Sequence, residues 1–272
     1  MNASLESWLE TARAAADAAA AVHVDAAGSV LADHARQKGT ADFVSEVDEA
    51  AQRAALAVIH TRHPDHLVLA EEDDAPPALP TDGTPLWVVD PLDGTTNFLH
   101  GHPMHVASVG LAVGGAFVVG AVTCGPTGER WWAAQGMGAF KAPDATSSAQ
   151  RITTSSPQSM ARALIGTGFP FRDLEYLDVY MNQFLRVIRS TAGARRGGAA
   201  ALDLCYVAEG RFDGFWEQRL SPWDFAAGVA IIREAGGMVT RVDGTEVTID
   251  AGSILAGANP AFTAELKALL DG

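Results

Sequence analysis

Cysteine is scarce in this sequence, and the scarcity limits how the chain is held together. Cys124 and Cys205 are the only two cysteines among 272 residues. Two cysteines cannot build a disulfide framework, so we expect a reducing compartment, the cytoplasm, and two small thiols packed in the core. The local sequence agrees, since both cysteines lie in apolar stretches.

Basic residues and long apolar runs are also few. Nineteen Lys and Arg residues stand against 33 Asp and Glu, which gives a formal net charge of −14. This balance argues against nucleic acid and against an anionic membrane surface as partners. No apolar run reaches the roughly 18 residues of a spanning helix, and the first residues lack the pattern of a signal peptide. The sequence therefore predicts no association with a membrane.

Two catalytic motifs of other hydrolases are missing as well. The G-x-S-x-G elbow of serine hydrolases is absent, and so is the G-x-x-x-x-G-K-[ST] loop that cradles nucleotide phosphates. We therefore expect neither a covalent phosphoenzyme nor hydrolysis of nucleoside triphosphates. Hydrophobic residues (48%) and charged residues (19%) occur in the proportions of a globular protein, and the chain is long enough for a large core.

The pattern of apolar residues predicts two structurally different halves. An alanine-rich helix is predicted over residues 2–27, and a second helix is expected to start after a cap at Ser45. Apolar runs on both sides of Gly114-Gly115 predict a β-hairpin. After residue 145 strands alternate with helices, which is typical of an α/β layer structure.

The predicted boundary between the halves lies in a stretch rich in Ser, Thr, Ala and Pro over residues 142–161. We expect an N-terminal α+β half, residues 1–145, that carries the metal site, and a C-terminal α/β half, residues 146–272, that closes it. The fold class predicted for the whole chain is α/β, or α+β in the stricter sense.

The clearest functional signal is Asp90-Pro91-Leu92-Asp93-Gly94, which follows a predicted apolar strand over residues 86–89. Pro91 fixes its φ angle and Gly94 permits a sharp turn, so both carboxylates can point at one place. Two carboxylates without a cation between them would repel each other, and Mg²⁺ relieves this repulsion because it prefers oxygen ligands. The alternative is an Asp-Gly turn whose side chains only cap their own backbone.

Three more acidic residues stand where predicted elements begin or end. Glu71 follows an apolar strand over residues 67–70, Glu217 ends another strand, and Asp224 starts an apolar helix. Ordinary structural explanations exist for two of them: Glu71 begins a charge run of the kind that is often solvated, and Asp224 is placed to cap its helix.

Two stretches of the sequence resemble the signatures of the inositol monophosphatase family of metal-dependent phosphatases. The first is DPLDGTTNF at residues 90–98, and the second is WDFAAG at residues 223–228, followed by IIREAGG at residues 231–237. The resemblance extends from about Lys38 to Gly237. It implies a layered α-β-α-β-α sandwich of the inositol monophosphatase and fructose-1,6-bisphosphatase type, and it implies a homodimer.

The resemblance also implies a site for two or three Mg²⁺ ions, with Mn²⁺ as a substitute, and inhibition by Li⁺. The implied metal ligands are Glu71, Asp90, the carbonyl of Leu92, Asp93 and Asp224. The implied catalytic residues, which orient the attacking water, are Glu71 and Thr95, the latter hydrogen-bonded to Asp48. The implied substrate contacts are the amides of Gly94 and Thr95 for phosphate, and Asp93, Ala200, Glu217 and Asp224 for the polyol. The resemblance also implies that Lys38 lies near the third ion, and the alternative is an ordinary surface lysine.

The predicted reaction is hydrolysis of a small phosphate monoester by metal-activated water, and inositol monophosphate is the leading substrate. Histidinol phosphate, fructose 1,6-bisphosphate and 3′-phosphoadenosine phosphate are the alternatives within the same reaction class. The non-enzymatic alternative is a regulatory binding protein on the same fold.

Two groups of residues near these motifs have open interpretations. Arg195 and Arg196 are either a solvated pair or a device that attracts an anionic substrate. His100, His102 and His105 follow the first signature, but no cysteine or third-ligand spacing accompanies them to support a zinc site. The simpler interpretation places these histidines on a loop at the mouth of the site.

Overall fold

The computed structural model of the chain describes residues 3–28, 36–39, 42–44, 46–73, 75, 77–80, 82–171 and 174–272. Ser45, expected to cap a helix, and the side chain of Lys38, expected near a metal ion, lie outside this description. Of the helices in the described ranges, none is both long enough and apolar enough to span a bilayer.

The described residues form seven α-helices and fourteen strands. The helices are α1 (Ala3–Asp25), α2 (Glu46–Arg62), α3 (Thr95–Leu99), α4 (Leu177–Ser190), α5 (Ala200–Ala208), α6 (Pro222–Glu234) and α7 (Pro260–Asp271). The strands are β1 (Arg36–Gly39), β2 (Asp42–Val44), β3 (Leu67–Ala70), β4 (Leu86–Asp93), β5 (Val106–Val113), β6 (Ala116–Thr123), β7 (Arg130–Ala134), β8 (Gly138–Ala142), β9 (Gln150–Ile152), β10 (Leu164–Thr167), β11 (Gly193–Arg195), β12 (Gly214–Gln218), β13 (Met238–Thr240) and β14 (Ser253–Gly257).

Most of these strands belong to two sheets. The larger sheet has the order β3-β4-β5-β6-β7-β8-β9 and is antiparallel except for the β3–β4 pair. The smaller sheet has the order β11-β10-β12-β14-β13, in which β10 runs parallel to both of its neighbours. The hairpin predicted around Gly114-Gly115 is confirmed as β5 and β6.

The two sheets and their helices form five layers. α1 and α2 cover one face of the larger sheet, α5 and α6 fill the space between the sheets, and α4 and α7 cover the far face of the smaller sheet. This arrangement confirms the α-β-α-β-α sandwich expected from the sequence. The alanine bias of α1 has a packing role, because small side chains at helical spacing let the helix lie close to its neighbours. The buried alanines of α1 are Ala12, Ala15, Ala16, Ala19 and Ala20.

Two glycines of the larger sheet set the position of α6. A Cβ atom at Gly120 of β6 would lie 2.3 Å from the carbonyl oxygen of Ala227, and one at Gly110 of β5 would lie 2.8 Å from the Cβ of Ala226. The backbone of α6 therefore rests directly on the sheet at positions where only glycine fits. This contact fixes the start of α6, and with it Asp224.

Three local predictions differ from the structure. β4 continues to Asp93 instead of ending at Val89, because its pairing with β5 resumes after an irregularity. Residues 150–152, within the stretch predicted as the boundary between the halves, form β9, and residues 193–195, where no strand was predicted, form β11. Such short edge strands bury few side chains, so they leave little periodicity in the sequence. β9 belongs to the larger sheet although it follows residue 145, and the division of the chain at that residue stays a prediction.

Candidate active site

An irregularity in β4 turns two carboxylates toward the same side of the strand. Asp90 pairs with Ser108 of β5 and Asp93 pairs with Val106. The two paired positions are therefore three residues apart on β4 but only two residues apart on β5. Residues three apart in a regular strand face opposite sides, and the extra residue of this bulge cancels that alternation. The amide of Leu92 donates a hydrogen bond to Asp90 Oδ1 at 3.0 Å, which stabilises the turn.

The start of α6 adds a third carboxylate to the two on the bulge. In the described part of the chain, Asp90, Asp93 and Asp224 are the one group of potential metal ligands whose ligand atoms all lie within 4.8 Å of one another. Asp224 Oδ2 also accepts a hydrogen bond of 2.6 Å from the amide of Ser221, which completes a capping box at the start of α6. Asp224 is therefore both a helix-capping residue and a member of the acidic cluster.

The first strand of the larger sheet adds a fourth acidic residue. β3 runs parallel to β4 with Ala70 opposite Val89, and this register places the next residue, Glu71, beside Asp90. A side-chain hydrogen bond joins Glu71 to Asp90. The carboxyl ends of two neighbouring parallel strands thus supply acids to one place.

The electrostatic environment of this cluster is unfavourable without a cation. Burial raises the pKa of Asp90 well above its ordinary value, and the nearby Glu71, Asp93 and Asp224 raise it further. Burial, followed by Asp224, likewise raises the pKa of Asp93, and the amide of Ala201, 2.7 Å from Asp93 Oδ2, acts in the opposite direction. The donor set contains only oxygen atoms and concentrates negative charge, so it fits a hard divalent cation such as Mg²⁺.

A hydroxyl group lies next to the acidic cluster. Thr95 Oγ1 is 2.9 Å from Asp48 Oδ1 and 3.1 Å from the carbonyl oxygen of Leu92, so its one hydroxyl proton lies within reach of both acceptors. Asp48 lies on α2 and is fully buried. Thr95 is the first residue of α3 and follows Gly94, whose φ of 94° is in the left-handed region that favours glycine. The hydrogen bond between Thr95 and Asp48 that the resemblance implied is present.

The acidic cluster lines a cavity of about 330 Å³, whose other lining residues lie within residues 167–171 and 196–220 or next to the cluster in the chain. Ala200, the first residue of α5, and Glu217, near the end of β12, also line it. The structure therefore brings all the residues expected to bind metal or substrate to one cavity. The carboxylate of Glu217 lies against Gly168, where a Cβ atom would be 1.8 Å from Glu217 Oε1.

Sequence reasoning named Arg196 only as one of a pair and missed the aromatic wall of the cavity on which it lies. The guanidinium of Arg196 lies over the rings of Phe169 and Phe171, 5.4 and 5.2 Å from their centroids. All three residues line the cavity, whereas Arg195 does not line it and hydrogen-bonds the carbonyl of Ala194. In the sequence, only the adjacent Arg195 and Arg196 indicated a cationic group near the site. The periodicity of the sequence could not show which of the two faces the cavity.

Asp203, on α5, is another residue of the cavity that the sequence did not single out. It is buried, and burial together with the charge of Asp93 raises the pKa of its carboxyl well above the ordinary value. Its place in an apolar helix gave no hint of this position.

The three histidines after the first signature divide between two environments. His100 and His102 are exposed, as a loop at the mouth predicts, but His105 is 5% exposed and packs inside the protein. None of the three belongs to a metal-type cluster within the described ranges.

The cysteines show no sign of acting as nucleophiles. The C-x₅-R spacing of cysteine phosphatases does occur twice, at Cys124–Arg130 and at Cys205–Arg211. Both thiols are free and buried, Cys205 lies in the middle of α5, and burial raises its pKa well above the ordinary value. A thiol in such a place is not the exposed thiolate that this chemistry requires, and the expectation of core cysteines is confirmed.

Comparisons with known proteins agree with the fold and the acidic cluster. The profile of the inositol monophosphatase family matches residues 4–271. "Nus factor SuhB" of Pseudomonas aeruginosa is 40% identical over 86% of this chain and 84% of its own length. "Inositol-1-monophosphatase" of Rhizobium meliloti is 43% identical over 81% of this chain and 80% of its own. The crystal structure of the extragenic suppressor protein suhB from Bartonella henselae has a TM-score of 0.84 and 36% identity, and it covers 94% of this chain and 95% of that one.

The repulsion within the cluster predicts an unusual effect of Asp93→Asn on stability. The substitution removes one of the buried charges and nearly keeps the shape, so the variant should melt no lower than wild type in a chelator. Mg²⁺ should stabilise the wild type by RT ln(1 + [Mg²⁺]/Kd), which is about 2.7 kcal/mol at a hundredfold excess over Kd, and should stabilise the variant less. Thermal melts of both proteins with and without Mg²⁺ measure this difference.

Asp144→Asn is the matched control for this prediction. Asp144 is an exposed loop residue that accepts hydrogen bonds from Thr146 and Ser147, and these bonds hold the pKa of its carboxyl below the ordinary range. Asp144 represents an acidic residue that only caps a turn. Its substitution should therefore not raise the melting temperature in a chelator. A clear loss of stability for Asp93→Asn in chelator would assign Asp93 to the same class and contradict the metal-cluster interpretation.

Proposed function

We propose that this chain, which belongs to the inositol monophosphatase family, hydrolyses a small phosphorylated polyol in a reaction that depends on Mg²⁺. Membership confirms the resemblance identified from the sequence and the prediction of a phosphoric monoester hydrolase. The observation that carries the proposal is the convergence of Asp90, Asp93 and Asp224 at the wall of one cavity. Inositol monophosphate is the proposed substrate, with histidinol phosphate, fructose 1,6-bisphosphate and 3′-phosphoadenosine phosphate as alternatives.

The acidic cluster and its neighbours form the proposed metal site. Its proposed ligands are Glu71, Asp90, the carbonyl of Leu92, Asp93 and Asp224, for two or three Mg²⁺ ions with Mn²⁺ as a substitute. Bound divalent ions neutralise the charge of the phosphate and lower the pKa of the attacking water. A phosphate monoester needs this electrostatic help and correct positioning more than it needs a covalent nucleophile.

The hydroxyl of Thr95 is proposed to orient the attacking water. Its single proton is directed to Asp48 or to the carbonyl of Leu92, so its oxygen lone pairs are available to accept a hydrogen bond from water. Glu71 accepts the second hydrogen bond. Water held in this way keeps a lone pair directed at phosphorus, and such positioning removes much of the entropic part of the barrier.

The remaining cavity residues are proposed to recognise the substrate. The amides of Gly94 and Thr95 bind the phosphate, while Asp93, Ala200, Glu217 and Asp224 contact the polyol hydroxyls. A hydrogen bond from the amide of Ala201 to Asp93 Oδ2 fixes the orientation of this carboxylate, which supports its role in binding the substrate.

A further role in binding another macromolecule is the second candidate. Its specific support is the name "Nus factor SuhB" of a relative that is 40% identical. The net charge of −14 argues against direct, non-specific contact with nucleic acid, so this role would require a protein partner or a local surface. The scarcity of cysteine favours the cytoplasm as the compartment for either function.

The surface of α4 supports the proposal of a homodimer. Five apolar residues at helical spacing, each between 37% and 63% exposed, form a stripe along α4 and the turn before it. A row of this kind on one helix face is typical of an interaction surface. The stripe consists of Leu174, Leu177, Met181, Leu185 and Ile188.

Removing divalent metal tests the proposed reaction most simply. We expect no hydrolysis of inositol 1-phosphate after exhaustive chelation, and recovery with Mg²⁺ or Mn²⁺. Excess Mg²⁺ and Li⁺ should inhibit, as the family resemblance implies. Full activity of the chelated protein would rule out the mechanism. Hydrolysis of histidinol phosphate, fructose 1,6-bisphosphate or 3′-phosphoadenosine phosphate, without hydrolysis of inositol 1-phosphate, would replace the proposed substrate.

Thr95→Ala separates water orientation from metal binding. The variant should lose about a hundredfold or more in kcat, because the hydroxyl positions the nucleophile. Its Mg²⁺ requirement should stay close to that of wild type, since Asp90, Asp93 and Asp224 are intact. Thr95→Ser keeps the hydroxyl and should retain most of the activity. Near-normal kcat in Thr95→Ala would show that another group orients the water.

The paired arginines provide a test of substrate attraction. Arg196→Ala should raise KM for an anionic substrate by about tenfold or more, since a charge-assisted contact is worth roughly 1.5–3 kcal/mol, and should leave kcat nearly unchanged. Arg195→Ala removes the same charge one residue away, outside the cavity, and is the matched control. Equal effects of the two variants would mean that only general electrostatic steering is involved.

Sedimentation equilibrium tests the proposed dimer. Wild type should sediment at twice the chain mass, and Met181→Glu should sediment as a monomer because a charge would be buried in the stripe. Val24→Glu is the control, since Val24 is also an exposed apolar residue and lies on α1, away from the stripe. A monomeric wild type, or dissociation by Val24→Glu alone, would contradict the assignment of α4.

A further inference from the structure

A histidine of α1 contacts the backbone of the bulge in β4. His23 is 1% exposed, and its Nε2 atom lies 2.8 Å from the carbonyl oxygen of Pro91. Pro91 lies between Asp90 and Asp93, where the described register of β4 gives it no paired residue on β5. The side chain of His23 thus holds the segment of β4 that the sheet pairing skips.

The chemistry of this contact shows which ring nitrogen of His23 carries the proton. Burial, followed by the neighbouring His105, lowers the pKa of His23 to about 4, so the ring is neutral near pH 7. A neutral imidazole has one N–H group, and a carbonyl oxygen only accepts. The proton therefore lies on Nε2, which donates to Pro91. Within the described residues, no group hydrogen-bonds Nδ1 of this ring, so this one bond and packing orient it.

A second histidine packs between His23 and the turn that follows the bulge. The ring of His105 lies edge-on to His23, with centroids 5.3 Å apart, and edge-on to Phe98 at the same distance. A Cβ atom at Gly94 would lie 3.2 Å from the Cβ of His105. His105 therefore limits the movement of His23 on one side and of the turn on the other.

We propose that His23 is a positioning residue of the metal site, whose hydrogen bond to Pro91 fixes the bulge that directs Asp90 and Asp93 toward one ion. The inference rests on the proposed function, because it takes the two carboxylates as metal ligands. His23 reaches neither carboxylate directly and acts only through the backbone between them. Groups that orient ligands in this way typically change metal affinity by about 10- to 100-fold when they are removed.

Two near-isosteric substitutions separate the hydrogen bond from the packing of the ring. His23→Met fills similar space without a donor, whereas His23→Gln keeps an N–H donor at a similar reach. We expect His23→Met to weaken Mg²⁺ binding by about tenfold or more and to reduce the thermal shift caused by Mg²⁺. His23→Gln should stay close to wild type in both measurements. Isothermal titration calorimetry of the full chain gives the affinities without any substrate.

Thr11→Val is the matched control on the same helix. Thr11 is fully buried, and its hydroxyl lies 3.0 Å from His63 Nε2. Its substitution removes the hydroxyl that hydrogen-bonds Ser7 O and His63 outside the cavity, so it should lower the melting temperature and leave the Mg²⁺ affinity unchanged. An equal loss of affinity in Thr11→Val, or wild-type affinity in His23→Met, would overturn the assignment.

The wild-type protein supplies a measurement that does not depend on a folded variant. Nitrogen-15 NMR of the His23 ring should show the Nε2–H tautomer, and an Nδ1–H tautomer would overturn the proposal even if His23→Met did not fold. A wild type that binds neither Mg²⁺ nor Mn²⁺ would contradict the proposed function itself. Wild-type binding together with unchanged affinity in His23→Met would contradict only the role of His23.

Discussion

The repulsion among buried carboxylates is the constraint on which the site depends. Asp90, Asp93 and Asp224 are held with their ligand atoms within 4.8 Å of one another, although burial and mutual charge raise the pKa values of Asp90 and Asp93. The folded chain keeps them together because rigid elements carry them: a bulge in β4 and a capped start of α6. The cost is balanced by packing elsewhere in the sandwich, so the site trades stability for function.

The same constraint explains why the site lies where several layers meet. β4, the residue after β3 and the helices α2 and α3 provide Asp90, Asp93, Glu71, Asp48 and Thr95, while α5, α6 and β12 provide Ala200, Asp224 and Glu217. α6 lies between the sheets, and Gly110 and Gly120 let its backbone touch the larger one. The cavity therefore exists only when both parts of the chain are folded against each other. The hydrogen bond between His23 and Pro91 makes the geometry of the bulge depend on α1 as well.

Much of the fold and the acidic cluster could be predicted from the sequence, because both leave local signals. Apolar runs around Gly114-Gly115 predict the hairpin, and Asp90 and Asp93 follow a buried strand. The packing of Arg196 on Phe169 and Phe171 and the contact of His23 with Pro91 could not be found in this way, since these contacts join residues far apart in the chain. The strand β9 was missed because three residues at a sheet edge have no periodicity to detect. Asp224 was assigned two competing roles, and the structure shows a geometry that accommodates both.

The central claim is that the carboxylate cluster is a site for hard divalent cations. Crystals grown or soaked with Mn²⁺ test it directly, because anomalous scattering locates this ion without reference to activity. We predict at least one strong anomalous peak within coordination distance of Asp90, Asp93 and Asp224, lost when the crystals are treated with a chelator. Crystals that diffract well, contain Mn²⁺ and show no peak at the cluster would contradict the account.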